Sequence, residues 1–225
     1  MKKLLSDGKN NTKTAKNSKH TYYLSLQPTN LNSLNENLCK FSTKECRNAC
    51  LQYSGRQSFS NVVKSRERKT EMFVTDRKLF IDSLWKELSE INNKEKAAIR
   101  LNLLSDVNWD LEFLKFNYDL SKLNNVQLYD YSKDHFKVIT NKLENYHFTL
   151  SYSGYNWKHC EEALKNKINV AMVFKNSLPL QYKGFNVING DQSDERFLDP
   201  KGVIVGLKYK VPRGLKYVKN NFVIE

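Results

Sequence analysis

The residues in this sequence that point most directly to chemistry are three cysteines within twelve positions of one another. Cys39, Cys46 and Cys50 form a C-x6-C-x3-C arrangement, and the chain has only one further cysteine. Thiolates at this density are the ligands that iron–sulfur clusters and zinc require. Three thiolates on one loop can hold a [4Fe–4S] cluster by three of its irons, which leaves the fourth iron open to a substrate or cofactor.

Zinc is the main alternative to a cluster at these cysteines. A structural zinc ion needs a fourth ligand. Candidates for that ligand are Cys160, His20, His135, His147 and His159. Disulfides or free thiols are the third possibility, and disulfides are disfavoured because no hydrophobic export signal follows Met1. We therefore expect a cluster first and zinc second, with Cys160 as an ordinary packed cysteine.

Alternating apolar segments predict the elements that would position the cysteines. Segments typical of strands cover residues 22–26, 97–104, 126–131, 146–152, 170–174, 185–188 and 203–207, and helical patterns lie between them at 73–91, 109–123, 136–143 and 157–167. Strands separated by helices of this length indicate right-handed βαβ units and a parallel sheet. We expect an α/β fold, either a partial (β/α)6 barrel with a Cys-rich loop after the first strand or an open doubly wound sheet.

Polar side chains follow several of these predicted strands. Asp106 and Lys133 come after the second and third strands, while Ser151 and Ser153 end the fourth. Functional groups of parallel α/β proteins gather at this carboxyl edge, so these four residues are candidates for cofactor contacts. The structural alternatives are helix N-caps for Asp106 and Ser153 and a solvated surface position for Lys133.

The densest polar cluster follows the predicted strand at 185–188. Asp191, Asp194, Arg196 and Asp199 lie within nine residues. Two carboxylates beside an arginine could bind a divalent cation together with a phosphate. We favour a structural interpretation, in which Asp191 lies in a turn and Arg196 forms an internal ion pair with Asp199.

The charge and composition limit the possible classes of protein. The chain has 225 residues, 40% hydrophobic and 27% charged, which excludes collagen-like, disordered and disulfide-dense proteins. Its formal charge is +13, of which residues 1–20 and 201–225 carry +5 each. We expect a flexible basic tail at 1–20 and one α/β domain at 21–225 with a basic C-terminal segment. The basic ends suit a nucleotide or nucleic-acid partner. We expect a cytoplasmic protein, because no segment is apolar enough to span a membrane.

Five short blocks, in order along the chain, resemble the gene product 88 family of phage proteins over roughly residues 35–210. The blocks are the three cysteines, residues 100–106, 129–133 and 150–153, and Gly190-Asp191 with Asp194, Arg196 and Asp199-Pro200. That family in turn resembles the radical S-adenosylmethionine enzymes, which implies a (β/α)6 partial barrel with a three-cysteine loop after the first strand. Most of those enzymes use C-x3-C-x2-C, so the spacing here differs.

The resemblance implies a mechanism. The three cysteines would ligate a [4Fe–4S] cluster whose open iron chelates S-adenosylmethionine, and reductive cleavage would yield a radical that abstracts hydrogen from a nucleotide or nucleic acid. Asp106 would accept the methionine ammonium, Ser151 and Ser153 would contact ribose or carboxylate, and Lys133 would pair with a carboxylate or phosphate. The alternatives are a non-enzymatic nucleic-acid-binding accessory protein, with zinc or a structural cluster at the cysteines, and an interaction protein that keeps only the barrel.

Overall fold

Ten strands and six α-helices make up the fold in the computed structural model, which describes residues 2–9, 14, 17–29, 34–211, 214 and 216–225. The strands are β1 Ser6–Asp7, β2 His20–Tyr23, β3 Ala97–Arg100, β4 Val126–Ser132, β5 Tyr146–Ser151, β6 Val170–Phe174, β7 Gln181–Tyr182, β8 Phe185–Asn189, β9 Ile204–Lys208 and β10 Val223–Ile224. The helices are α1 Lys44–Asn48, α2 Ser60–Thr75, α3 Arg77–Lys94, α4 Trp109–Leu114, α5 His135–Thr140 and α6 Trp157–Lys165.

All the strands belong to one largely parallel sheet. Its order is β1-β2-β3-β4-β5-β6-β9-β8-β7, with β10 added against β6. The edge strands β1 and β7 are antiparallel to their neighbours, and every other pairing is parallel. No pairing among the described residues joins the two edges, so the sheet is open and not closed into a barrel. From β2 to β6 the strands also lie side by side in chain order, without the reversal of strand order that defines a doubly wound sheet.

The sheet splits at its carboxyl edge between β5 and β6. These strands pair only through Leu150–Val170 and Ser151–Ala171. Beyond that point β10 takes the place of β5, because Val223 pairs with Val173. The C-terminal end of the chain therefore lies beside the ends of β5 and β6.

The two faces of the sheet differ in chemistry because successive strand residues point to opposite sides. One face packs against the helices in two apolar clusters that include Ile99, Leu128, Leu150 and Met172. The other, which we call the cavity face, carries Arg100, Tyr131, Ser151, Ala171 and Val173, which line a cavity. The helical core leaves this second face available for polar chemistry.

The long helical pattern that begins near Phe73 is two helices and not one. The break falls at Asp76, whose side chain accepts a hydrogen bond from the Leu79 N–H and so caps α3. The side chains of Phe73, Phe80 and Leu84 are fully buried, so the predicted apolar face is correct even though the helix is interrupted.

The described part of residues 1–20 differs from the flexible tail that its lack of aromatic residues and of apolar periodicity predicts. Leu4 and Leu5 are buried, and their N–H groups donate to the Glu87 carboxylate at 2.7 and 2.9 Å. Strand β1 then pairs with β2. Burial of two leucines and a short strand offsets the entropy of ordering this part of the chain. Residues 1, 10–13 and 15–16 of the expected tail lie outside the described residues.

The helices of the described chain include none that is both long enough and apolar enough to cross a membrane.

Candidate functional site

A cavity opens at the carboxyl edge of the parallel strands, on the cavity face. Its volume of ≈ 190 Å³ is an order of magnitude more than one water needs. Six strands, β3, β4, β5, β6, β8 and β9, deliver residues to it from the strands themselves or from the loops that follow, and the segment after β2 supplies all three clustered cysteines. The lining includes Cys39, Cys46, Cys50, Arg100, Asn102, Asp106, Tyr131, Lys133, Ser151, Asp191, Asp194, Lys208, Tyr209, Lys210 and Phe222. The structure thus brings together most of the residues that the sequence singles out.

The cysteine segment is held in place by local hydrogen bonds. Helix α1 contains Cys46 and begins after Thr43, whose hydroxyl accepts from the Cys46 N–H at 3.2 Å and donates to the Ser153 carbonyl at 2.7 Å. The Asn37 side chain accepts from the Cys39 N–H at 2.9 Å. The carbonyl of Ser153 therefore anchors the cysteine segment to the end of β5.

The three thiols are free of disulfide bonds and largely buried. Burial raises the pKa of Cys39 to about 11, with Lys133 acting in the opposite direction, and burial also raises the pKa of Cys50. Among the described residues, no three His, Cys, Asp or Glu side chains are gathered closely enough to hold one metal ion. No described histidine lines the cavity, and neither does Cys160, which is fully buried in the helix-side core as the sequence predicts.

Lys133 interacts electrostatically with all three clustered cysteines. Burial lowers its pKa, but the Cys46 and Cys39 thiolates and the Asp106 carboxylate raise it more, so its pKa lies above the ordinary value. The side chain lines the cavity and is only partly exposed, so it is not a solvated surface lysine. Its position allows it to neutralise negative charge on the thiolates.

Asp106 is engaged inside the protein. Its carboxylate accepts from Lys137 Nζ at 2.5 Å, from Ser132 Oγ at 2.7 Å and from the Lys133 N–H at 2.8 Å. The Lys137 and Asp106 side chains are 5% and 3% exposed. The carboxylate thus ties the loop after β3 to the end of β4. Asn108, not Asp106, caps α4.

The loop that carries Asp106 is organised by Asn102, which the sequence did not single out. The side-chain oxygen of Asn102, Oδ1, accepts from Ser105 Oγ, the Val107 N–H and Trp109 Nε1 at 2.9–3.1 Å. Its amide donates to the buried Asp130 carboxylate at 3.1 Å. An asparagine after a strand is too common a turn residue to reveal such a role.

The two serine candidates behave differently. Ser151 lines the cavity at the point where β5 separates from β6. Ser153 lies outside the cavity lining, and its N–H donates to the Asn156 side chain at 2.7 Å. Asn156 is the N-cap residue of α6, so the N-cap interpretation of Ser153 is wrong.

The polar cluster after β8 folds over the cavity face. Arg196 is 2% exposed and pairs with Asp199 at 3.3 Å, as the structural interpretation expects. Asp194 accepts from Tyr129 Oη at 3.0 Å and lies 3.5 Å from Arg100 Nη1. Asp191 accepts from the Lys208 N–H at 2.8 Å, which fixes the end of β9.

Arg100 and Tyr131 are cavity residues that sequence reasoning missed as site residues. The Arg100 guanidinium stacks on the Tyr131 ring, with 4.6 Å between its central carbon and the ring centroid. Arg100 Nε and Tyr131 Oη are buried and have no hydrogen-bond partner among the described residues. Both residues fall inside predicted strands, and their presence in the blocks 100–106 and 129–133 that carry the family resemblance is the signal that could have found them.

Comparison of the sequence with known proteins assigns the chain to a protein family. The family model described as gene product 88 matches residues 3–221. No curated protein and no solved structure matches the chain. The match covers nearly the whole chain, including the cysteine segment, the strand ends and the polar cluster that form the cavity. The protein therefore belongs to the gene product 88 family.

Proposed function

We propose that this protein is an iron–sulfur protein of the radical S-adenosylmethionine type that acts on a nucleotide or nucleic acid. Cys39, Cys46 and Cys50 hold its [4Fe–4S] cluster. The observation that carries the proposal is that three cysteines from one segment line a single cavity at the carboxyl edge of a parallel sheet. This edge is where parallel α/β proteins place their ligands.

The donor set suits a cluster better than a zinc ion. A zinc ion needs four donors around one point, and no three such side chains among the described residues are arranged in that way. In a cubane cluster each thiolate binds a different iron, so the sulfurs need to face one cavity without meeting at one point.

Charge balance supports the same assignment. Three thiolates bring negative charge into a largely buried place, which is costly without a nearby cation. Lys133 lies within electrostatic reach of all three sulfurs. In the proposal its ammonium neutralises the thiolates and attracts the anionic end of a bound molecule.

When bound, the cluster and its S-adenosylmethionine supply the electron and the radical, and the chain supplies binding, orientation and exclusion of water. Lys133 and Ser151 are the residues we assign to the polar end of the cofactor. Asp106 positions the loop after β3, because its carboxylate already accepts three hydrogen bonds. Arg100 and Tyr131 form a polar wall of the cavity, and we assign them to the substrate side.

Anaerobic reconstitution with iron and sulfide tests the proposal. We expect bound iron and sulfide with broad visible absorbance, and we expect both to be lost in Cys39→Ala, Cys46→Ala and Cys50→Ala. Cys160→Ala is the matched control, since this cysteine is buried away from the cavity, and it retains the iron. Stoichiometric zinc without iron, or iron that survives all three substitutions, contradicts the cluster. Release of 5′-deoxyadenosine from S-adenosylmethionine under reducing conditions then tests the radical chemistry.

A further inference from the structure

A second, more open groove adjoins the cavity. Its volume is ≈ 750 Å³, and it shares Ala49 and Tyr209 with the cavity lining. Its walls come from α1, the short turn that contains Tyr53 and the C-terminal segment around Lys216. We call it the basic groove. Because the two spaces share residues, the basic groove lies directly beside the cavity that the cysteines line.

The basic groove carries an excess of positive charge. Lys44, Lys216 and Lys219 line it, and Glu45 is the one acidic residue among the described residues of its lining. The Glu45 carboxylate accepts from Tyr155 Oη at 2.6 Å, and Lys219 also pairs with Glu225 at 3.2 Å.

The excess of positive charge continues into the mouth of the cavity. Lys208 and Lys210 line it there, and Asp191 lies 4.0 Å from Lys210 Nζ. The described parts of the basic C-terminal segment thus supply lysines to both the groove and the cavity.

Exposed aromatic rings accompany these lysines. Tyr53 lines the groove and is 38% exposed, and the adjacent Tyr155 is 63% exposed. Tyr209 also lines the groove, and it packs edge-to-face on Tyr217 with 5.3 Å between ring centroids. Basic grooves with accessible aromatic rings are the surfaces on which unpaired bases stack.

From this juxtaposition we propose that the basic groove binds single-stranded nucleic acid and leads one unit of it toward the cavity. The lysines contact phosphates and the tyrosines stack on bases. Lysine binds phosphate as a point charge without the fork that reads base edges, so binding is independent of sequence. A duplex would keep its bases stacked and out of reach of the cavity. The movement of one nucleotide from the groove toward the cavity rests on the proposed function, whereas binding in the groove does not require the cluster.

Binding of a dye-labelled oligothymidylate to cluster-free protein, followed by fluorescence anisotropy over a range of salt concentrations, tests the proposal. Each phosphate contact contributes about 0.7 to the slope of log affinity against log salt for single strands. Lys44→Gln, Lys216→Gln and Lys219→Gln together are expected to lower that slope by about 2 and to weaken binding about 100-fold at 0.1 M salt. Tyr53→Leu is expected to weaken it about 5-fold or more through lost stacking.

The matched control replaces three exposed lysines that line neither space, Lys86, Lys122 and Lys142, by glutamine. This control variant loses the same number of positive charges as the groove variant, and we expect it to keep most of the affinity for the oligothymidylate. Equal loss in the two triple variants, no loss in the groove variant, or equal affinity for the duplex of the same length overturns the proposal. Because the protein is free of cluster, a negative result here leaves the iron assignment standing, and failed reconstitution leaves the groove standing.

Discussion

The buried ion pair between Asp106 and Lys137 offers the sharpest test of how the cavity is held together. Asp106→Asn keeps the size of the side chain and one oxygen that can accept from Ser132 or from the Lys133 N–H. It removes the charge that compensates Lys137, whose ammonium is 2.5 Å away and whose side chain is 5% exposed. The substitution therefore isolates one buried cation.

The magnitude follows from what remains for Lys137. Its other acceptor is the Val107 carbonyl, at 3.5 Å. Removing one partner of a buried pair costs about 3–5 kcal/mol. With a urea m-value of about 2 kcal/mol/M, that loss moves the unfolding midpoint by about 2 M. Asp106→Asn combined with Lys137→Met removes both charges and is expected to recover most of the lost stability, with a coupling energy of about 2 kcal/mol or more.

Urea unfolding followed by far-ultraviolet circular dichroism measures all four proteins of this cycle. Lys78→Met is the control, because the Lys78–Asp82 distance of 2.6 Å is equally short but the lysine is 72% exposed. We expect no measurable midpoint shift there, since solvent screens exposed pairs. A coupling energy below about 0.5 kcal/mol would refute the argument that this pair holds the loop after β3 to β4.

Three further predictions concern the cavity face and its support. Burial raises the pKa of Asp130 to about 6, above the unfolded value of about 3.9, so its contribution to stability is present below pH 4 and is lost as pH rises to 6. Between pH 4 and pH 7 the free energy of unfolding of the unsubstituted protein should therefore fall by about 3 kcal/mol, and urea unfolding should show that this fall is absent in Asp130→Asn; parallel curves for the two proteins contradict it. Tyr131→Phe is expected to leave the free energy of unfolding unchanged or raise it by about 1 kcal/mol, because the hydroxyl has no partner among the described residues, and a clear loss in chemical denaturation disproves this. In Gly190→Ala the new Cβ meets Val205 Cγ1 and lies 2.9 Å from Arg196 Nη1, so we expect a lower melting temperature and a loss of about 1–3 kcal/mol; an unchanged melting curve counts against this packing.

Local sequence patterns predicted much of the secondary structure. The strand at Val170–Phe174 has the predicted bounds, and those at Val126–Ser132 and Tyr146–Ser151 differ from them by one residue. These segments are apolar on the face that packs against helices, and that periodicity is local information. Strands β1, β7 and β10 have only two residues each and were missed, because so short a segment has no period to read.

The charged run after Lys64 shows where local patterns fail. Five of the six residues at 64–69 are charged, and such a run on a helix predicts a solvated face. In the structure, however, Arg66 and Lys69 are each 3% exposed. Arg66 Nε donates to Gln27 Oε1 at 2.6 Å, and burial lowers the pKa of Lys69 to about 8. Their partners are distant in sequence, so only the packing of α2 against the segment after β2 makes them interior residues.

The sequence alone determined that three cysteines share one segment, that polar residues end successive strands, and that an α/β sheet would gather them at one edge. These are consequences of spacing and of the two periods, 2 and 3.6, that strands and helices impose. The tertiary structure decided which of those residues face the same cavity. It placed Lys133 and Ser151 there, committed Asp106 to Lys137, and brought the basic C-terminal segment to the rim. Those outcomes depend on contacts between residues far apart in the chain, which no local pattern records.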